Sequence, residues 1–345
     1  TKDATALIPK GHVVAFEQWA LPTQQDKHPS TLSNKQNHSD LLIKTEQSPE
    51  AIILTGKQFR IVFSTINGDM TELSFKGKNR IKEGLRANFW RPLTDNDVAN
   101  GQLGRCGIWK FAGRNAHLSD IAGTEEDTRQ SATVTTTYLL EEQESTLNVV
   151  YQVQADGEIH VTMHFIPGNR PLPEMPRLGM RMILPAEYDQ MTWFGRGPHE
   201  NYADRKTGAA IGLYTATVWE QFHPYVRAQE TGNKTDVRWV ALRDHTGEGL
   251  LFIGDEPLHV SAWNFPQEDI DYVAFNTERR HGGSIRKKDM VWLNIDHRQM
   301  GVGGDNTWGA QVHPEYTITP HEWSYGFSIQ FLDRKDNPIE KVHEK

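Results

Sequence analysis

The sequence lacks several features that would point to particular classes of protein. Its 345 residues include a single cysteine, Cys106, which excludes an internal disulfide framework and a zinc site built from several cysteines. No apolar run approaches the roughly 20 residues that a membrane-spanning helix needs. Lys and Arg number 37 against 45 Asp and Glu, and the resulting net charge of −8 argues against nucleic acid as a partner. A hydrophobic content of 37% with 24% charged residues is typical of a globular protein.

The sequence also lacks an apolar period of 3.6 residues sustained over three turns, so long helices are not expected. A short helix is predicted over about Arg105–Gly113. Apolar and polar residues instead alternate over much of the chain, as they do in half-buried β-strands. The residues 147–153 and 159–165 alternate in this way around the turn signal Ala155-Asp156-Gly157, which predicts a β-hairpin. Many strands without crossover helices predict an all-β fold of antiparallel sheets stacked as a large sandwich. The absence of a fixed-period repeat argues against a propeller.

The two ends of the chain differ from this β-rich body. The segment Gly11–Leu21 (GHVVAFEQWAL) alternates apolar and polar residues and predicts one strand, which cannot bury its own apolar face. It must pack on the rest of the chain or belong to another domain. The polar stretch Pro22–Asn37 carries two prolines and predicts a linker, which we place at residues 22–48. We assign residues 49–333 to the β-sandwich and residues 334–345 to a charged tail that frays.

Candidate functional residues lie in long connections rich in Gly, Asp, Asn and Trp, since binding groups concentrate in loops between rigid strands. Sugars need planar hydrogen-bonding groups for their hydroxyls and an aromatic face for the apolar side of the ring. The 10 tryptophans and these loops fit a carbohydrate-binding surface, although most tryptophans of a β-sandwich belong to its core. The connections are Phe89–Gly101, Trp193–Lys206, His223–Trp239, Phe275–Arg286 and Asn294–Ala310.

Trp308 is the tryptophan that we expect to lie outside the core. It follows Gly301–Thr307 (GVGGDNT), a run too flexible and too polar for a buried strand. These glycines do not indicate a phosphate-binding loop, because the Walker lysine is missing and no helix pattern follows. A binding role and a purely structural role both stay open for Trp308 at this point.

Two clusters of charged residues have structural explanations that compete with chemical ones. Asp95-Asn96-Asp97 fails the EF-hand calcium pattern, and we expect these side chains to cap backbone N–H groups in a turn. The pair His199-Glu200 could serve acid–base chemistry. The alternative is that Glu200 and Asp204 form ion pairs with Arg196 and Arg205 and so hold a corner of the fold.

Nucleophilic chemistry finds no support in the sequence. Cys106 lacks a nearby histidine or helix N-terminus that would lower the pKa of its thiol, so we expect it to be unreactive. There is no Gly-x-Ser-x-Gly elbow for serine catalysis. His223, which precedes Pro224, is expected to be a packing residue in a loop.

Taken together and in order, the loop sequences resemble the C-terminal domain of the LacZ-type β-galactosidases of glycoside hydrolase family 2. The matching stretches lie between about Glu50 and Leu332. Gly11–Leu21 resembles the last strand of the immunoglobulin-like domain that precedes this domain in those enzymes, and we therefore assign residues 1–21 to the C-terminal end of such a domain. The chain departs from the common form at Ala228, where proline is expected, and at Thr231, where asparagine is expected. The motifs that carry the resemblance are FWRPLTDND, GRGPHENYADR, HPYVRAQETGNKTDVRW and NIDHRQMGVGGDNTWG.

The resemblance implies a galactose mutarotase-like β-supersandwich and a place for this domain at a galactoside-binding pocket. In these enzymes the tryptophan after the Gly-Gly-Asp run reaches the catalytic pocket and stacks on the substrate, a role that carries over to Trp308. A mobile loop after the TDND motif borders the same pocket. That role carries over approximately to Ala99, Asn100 and Gly101.

The resemblance also implies what lies outside this chain. Retaining β-galactosidases use two glutamates, which in this family sit on a (β/α)₈ barrel together with the magnesium and sodium ligands. The chain is therefore expected to hold no catalytic residue and no metal, to be inactive alone, and to act with the remaining domains of a homo-oligomeric enzyme. Membrane and nucleic acid are not expected partners, and the compartment, cytoplasmic or periplasmic, stays open. The alternatives are a free-standing carbohydrate-binding module and an aldose 1-epimerase-like enzyme.

Overall fold

The computed structural model describes residues 1–19, 21, 41–126, 128–272 and 280–343. These residues divide into two compact units, Thr1–Ser30 and Thr31–Lys345. The described residues of the first unit form bends and turns, and their backbone hydrogen bonds join Gly11 to Thr1 and His12 to Pro9. All strands described below belong to the second unit. No helix among the described residues is long and apolar enough to cross a membrane.

The second unit is built from two antiparallel sheets. The smaller sheet has five strands in sequence order, joined by short turns. Its strands are β1 (Lys44–Gln47), β2 (Ala51–Thr55), β3 (Phe59–Ser64), β4 (Met70–Phe75) and β5 (Lys78–Asn79). The larger sheet has twelve strands, and all of their pairings are antiparallel. Its strands are β6 (Glu83–Asn88), β7 (His117–Glu125), β8 (Ser131–Leu140), β9 (Ser145–Gln154), β10 (Ile159–Ile166), β11 (Arg177–Pro185), β12 (Gln190–Gly197), β13 (Ala210–Thr217), β14 (Lys234–Arg243), β15 (Gly249–Trp263), β16 (Met290–Gln299) and β17 (Trp323–Leu332).

The larger sheet forks at β15. The first half of this strand, from Gly249 to Gly254, pairs with β17, while the segment from His259 to Trp263 pairs with β16. Strand β14 pairs with both halves. One branch therefore continues through β17, β10, β9, β8 and β7, and the other continues through β16, β11 and β6. The fork lets a single sheet curl back over its own apolar surface, which builds the predicted sandwich.

The core lies between these layers and follows directly from the alternation in the sequence. Every second residue of β9 and of β10 is buried, and the two strands pair across the predicted turn with Val153 opposite Ile159. The smaller sheet packs on the larger one through aromatic contacts, such as Phe63 on Tyr151 with ring centroids 4.9 Å apart. The prediction of an all-β antiparallel sandwich, and of the hairpin within it, is confirmed.

The described residues form three short helices: α1 (Asp95–Ala99) and α2 (Gln102–Cys106) lie between β6 and β7, and α3 (Pro338–His343) follows β17. The predicted helix over Arg105–Gly113 overlaps the end of α2 and a 3-10 turn over Gly107–Trp109, but it begins too late and extends too far. Thr94 ends the preceding extended segment and caps α1, so the helical stretch starts at Asp95, ten residues before the predicted one. The capping signal is a threonine with an aspartate three positions later.

The structure differs from the sequence-based expectation at both ends. Gly11–Trp19 and Leu21 form no strand, and Phe16 and Trp19 are exposed. A strand needs a neighbour for its backbone and its apolar face, and the described residues of the first unit supply none. The assignment of residues 1–21 to a preceding immunoglobulin-like domain stays a prediction.

The predicted boundaries of the linker and of the tail also need adjustment. Strand β1 lies inside the predicted linker 22–48 and pairs with β2, so the sandwich begins by Lys44. Residues 22–40 of that linker lie outside the described residues. In the tail, α3 packs Val342 on a buried cluster that includes Trp239 and Leu332, so this part of the tail is a docked helix. Residues 344–345 lie outside the described residues.

Candidate functional site

Trp308 lies at the surface on the loop that follows β16. Its side chain is 93% exposed, whereas Trp109 and Trp263 are fully buried. The backbone N–H of Trp308 donates to the side-chain oxygen of Asn306 at 2.9 Å, and this bond turns the chain just before the indole. The expectation that this indole lies outside the core is confirmed.

Asn100 and Gly101 form the corner between α1 and α2. Asn100 caps the end of α1 through its backbone N–H, which donates to the Asn96 carbonyl at 2.9 Å. Gly101 has a φ of 71°, a left-handed conformation that glycine adopts without strain. The Arg105 guanidinium donates to the Asn100 carbonyl at 2.9 Å. The loop expected after the TDND motif is thus a helix–helix corner with its own hydrogen bonds.

This corner lies beside the loop that carries Trp308. A Cβ atom at Gly309 would be 3.6 Å from the Ala99 carbonyl oxygen. The Asn96 side-chain amide donates to the Val302 carbonyl at 3.1 Å. The structure therefore brings together Trp308 and the corner that holds Asn100 and Gly101, which are about 200 positions apart in sequence. Their part in binding stays a prediction.

A buried arginine, Arg91, connects α1 with the start of the loop that carries Trp308. Arg91 has no exposed surface, and its guanidinium donates to both carboxylate oxygens of Asp97, at 2.9 and 3.1 Å. The same group donates to the Gly301 carbonyl at 2.7 Å and to the Met300 carbonyl. Asp97 also completes a capping box with Thr94 at the start of α1. The predicted capping role of the acidic TDND segment is confirmed for Asp97.

A cavity of about 260 Å³ opens where four of the sequence-predicted connections meet. At its rim the Asp95 carboxylate pairs with Arg227 at 2.5 Å and accepts from Gln229 at 2.9 Å. Its lining combines carboxylate, amide and hydroxyl side chains with apolar surface, and the apolar part makes up most of what the cavity exposes. The lining includes Asn96, Tyr202, Tyr225, Gln229, Glu230 and Thr307. Of the fifth connection, residues 275–279 lie outside the described residues.

Glu200 is held by donors rather than free for proton transfer. Burial opposes its ionisation, but hydrogen bonds from Tyr225, from the Gly232 N–H and from Arg205 outweigh burial and keep the pKa of Glu200 below its usual value. The bond from Gly232 is 2.8 Å and the ion pair with Arg205 is 2.6 Å. The structural interpretation of Glu200 and Arg205 as an ion pair is confirmed.

The other half of that interpretation is wrong. Arg196 pairs with Asp236 at 2.5 Å and not with Glu200 or Asp204. Asp204 instead accepts the backbone N–H groups of Val302 and Gly303. Strand pairing explains the difference, since β12 and β14 are neighbours and place Arg196 beside Asp236.

A buried cluster of three charged residues, which sequence reasoning missed, lies behind the cavity. Arg177 donates to Asp296 at 3.0 Å and to Glu230 at 3.3 Å, and none of these side chains is exposed. Burial raises the pKa of Asp296 to about 8 and that of Glu230 to about 7, although Arg177 lies beside both. One guanidinium serves two carboxyl groups, so it compensates their burial only in part, and both are harder to ionise than exposed carboxyl groups. Charged residues inside apolar strands were the available signal for Arg177 in β11 and Asp296 in β16, whereas Glu230 lies in the loop before β14.

The remaining candidates behave as structural residues. Burial raises the pKa of Cys106 to about 12, so the thiol is not a nucleophile. The backbone N–H of His223 donates to the Thr231 hydroxyl at 2.9 Å, and its ring packs on Tyr225 with centroids 4.4 Å apart. His199 and His223 line a larger cavity of about 630 Å³ together with Glu200 and the buried Lys234.

Comparisons with known proteins identify the family. The model of the β-galactosidase small chain matches residues 55–330, which is most of the chain. A β-galactosidase of Priestia megaterium is 34% identical over 314 residues, covering 91% of this chain and 29% of the relative. A β-galactosidase of Lactobacillus delbrueckii subsp. bulgaricus is 36% identical over 268 residues, covering 77% of this chain and 25% of the relative.

Similar solved structures include a galactose 1-epimerase from Lactobacillus acidophilus, with 10% identity and a TM-score of 0.47. That match covers 84% of this chain and 98% of the epimerase. A galactose mutarotase-related enzyme of the same species has a TM-score of 0.45, with 10% identity and coverage of 86% and 99%.

The chain spans less than a third of the length of the curated relatives described above. The matched region nevertheless includes strands β3 to β16, most of β17 and every loop that meets at the 260 Å³ cavity. The chain therefore belongs to the β-galactosidase small-chain family.

Proposed function

We propose that this chain completes the substrate pocket of a β-galactosidase that hydrolyses terminal β-D-galactosides with retention. Trp308 supplies the aromatic face against which the sugar stacks, and the corner at Asn100 and Gly101 borders the pocket. The observation that carries the proposal is the 93% exposed indole of Trp308, held beside that corner by a hydrogen-bonded loop. An isolated exposed tryptophan on an ordered loop is well suited to stack on a ligand because few rotamers are lost on binding.

In this proposal the reactive carboxyl groups lie in other domains of the enzyme. Retaining glycosidases place two carboxyl groups about 5–5.5 Å apart, one as nucleophile and one as acid/base. The partly buried Glu200 and the buried Glu230 both bind an arginine and other donors. Magnesium and sodium, which the family resemblance implies for the complete enzyme, would be bound by those other domains. The complete enzyme is proposed to be a homo-oligomer.

Trp308→Ala in the complete enzyme tests the assigned role. Loss of one aromatic contact is expected to weaken substrate binding by roughly 1–3 kcal/mol. This corresponds to a fall in kcat/KM of about 5- to 150-fold for nitrophenyl-galactoside. Trp308→Phe keeps an aromatic face and should lose less. Ile66→Ala, at an exposed apolar position in the turn between β3 and β4, is the matched surface control. Unchanged KM and kcat in Trp308→Ala would contradict the role.

The isolated chain is expected to show no hydrolysis of nitrophenyl-galactoside, because the proposed catalytic pair is elsewhere. The measurement is a long incubation at high protein concentration, with the complete enzyme as the positive control. Hydrolysis above background, retained after repeated purification, would mean that a catalytic pair lies within this chain.

Two other functions remain alternatives and can be separated on the isolated chain. An aldose 1-epimerase would interconvert α- and β-galactose and would lose that activity in His199→Ala. Glu200, next to His199, is hydrogen-bonded to Tyr225, Gly232 and Arg205, which argues against a free general base at this position. A free-standing carbohydrate-binding module would bind galactose or lactose in calorimetry at millimolar concentration or better. Undetectable binding favours a chain that forms only part of a pocket.

A further inference from the structure

Asp204 makes two backbone hydrogen bonds that connect distant parts of the chain. Its carboxylate accepts the N–H of Val302 at 3.0 Å and the N–H of Gly303 at 2.7 Å. These residues are almost 100 positions away in sequence, and they begin the loop that leads to Trp308. A carboxylate that accepts two adjacent N–H groups forms charge-assisted bonds, which are stronger than bonds between neutral groups.

The glycines of the GVGG run are what allow this approach. A Cβ atom at Gly301 would lie 2.7 Å from the Asp204 carboxylate, and one at Gly303 would lie 3.0 Å from it. Both distances are shorter than ordinary contacts between carbon and oxygen, so a side chain at either position would push the carboxylate away. The glycine-rich sequence before Trp308 therefore fits a requirement for close approach of an acidic side chain.

The carbonyl groups of residues 300–302 are hydrogen-bonded to side chains as well. Arg91 donates to the carbonyls of Met300 and Gly301, and Asn96 donates to the carbonyl of Val302. Four consecutive residues thus have their N–H or C=O groups bonded to fixed side chains. The residues beyond this stretch, up to Trp308, are far more exposed. The direction in which the loop leaves the sheet is set at residues 300–303.

We propose that Asp204 is a positioning residue that orients the Trp308 loop for sugar stacking. This inference rests on the proposed function, because it assigns Asp204 a role through Trp308 and not through contact with substrate. Arg91 and Asn96 bind carbonyls of the stretch, backbone carbonyls accept the N–H groups of Met300 and Gly301, and Asp204 accepts those of Val302 and Gly303. Removal of the carboxylate frees the two N–H groups nearest the exposed part of the loop, so the indole samples more orientations and stacks less often.

The test combines a double-mutant cycle with hydrogen exchange in the complete enzyme. Asp204→Ala is expected to raise KM for nitrophenyl-galactoside about three- to tenfold with a smaller effect on kcat. In a Trp308→Ala background the same substitution should change KM little, because its effect passes through the indole. The amides of Val302 and Gly303 should exchange about tenfold or more faster in Asp204→Ala. Asp204→Asn keeps one acceptor oxygen, so its KM and its amide exchange rates should fall between those of the wild type and of Asp204→Ala.

The outcomes separate the inference from the proposed function. If Trp308→Ala has no effect on kinetics, the proposed function fails, whatever Asp204→Ala does. If Trp308→Ala is impaired while Asp204→Ala is normal, or if the two effects are additive, the positioning role is overturned. Unchanged amide exchange in Asp204→Ala would also overturn it. Glu322→Ala removes an exposed carboxylate that pairs with His164 and controls for a general effect of lost charge.

Discussion

Replacing Arg177 with alanine is expected to lower the free energy of unfolding by about 3–5 kcal/mol. The guanidinium is fully buried and is the cation shared by Asp296 and Glu230. Without it, two buried carboxyl groups must stay protonated or remain as uncompensated charges. The loss should be larger at pH 8 than at pH 5, because holding protons on both carboxyl groups becomes harder as the pH rises. Urea unfolding of the chain at both pH values measures the effect.

Arg181→Ala is the matched control for this prediction. Arg181 lies on the same strand, β11, but it is partly exposed and pairs with Glu268 at 3.6 Å. Half-exposed ion pairs of this kind contribute about 0–1 kcal/mol. A similar small cost for Arg177→Ala, with no dependence on pH, would show that the buried cluster does not carry the stability assigned to it.

Trp109→Ala is expected to cost about 3–5 kcal/mol of unfolding free energy through loss of apolar burial and the cavity that remains. The indole of Trp109 has no exposed surface and packs between Phe89 and Phe165, with ring centroids 5.7 and 6.0 Å away. Its N–H donates to the Pro173 carbonyl at 3.1 Å, and that carbonyl would lose its donor. Thermal or urea unfolding of the isolated chain provides the measurement.

Trp308→Ala provides the contrast, since the same substitution at an exposed tryptophan should change stability by no more than about 0.5 kcal/mol. The pair of variants thus distinguishes a tryptophan that holds the fold from one that is available to a ligand. A large loss of stability in Trp308→Ala, or none in Trp109→Ala, would contradict this division.

The sequence predicted the parts of the fold that depend on local patterns. Alternation over β9 and β10 identified two half-buried strands, because each has one face on the core and one on solvent. The run GVGGDNT placed Trp308 outside the core for the equally local reason that such a run cannot form a buried strand. The motif resemblance identified the family, which the comparison with family models confirmed.

What the sequence did not predict depends on pairings between distant strands. The pairing of β11 with β16 brings Arg177 close to Asp296. The loop before β14 brings Glu230 to the same guanidinium. Asp204 reaches Val302 for a similar reason, and no local pattern encodes a partner almost 100 positions away. The alternating pattern of β16 predicted that only every second residue is buried. Nearly all of its residues are buried, because the strand lies inside the fork.

The forked strand β15 has a consequence for how the chain is made. It holds both branches of the larger sheet, and one of its partners, β17, ends at Leu332. Strand β10 also needs β17, which pairs Ile159 with Ile329. Contacts of such long sequence separation form slowly because large loops must close first. During synthesis on the ribosome, the curled sheet therefore cannot close until β17 has left the exit tunnel, after all the other strands of the sheet.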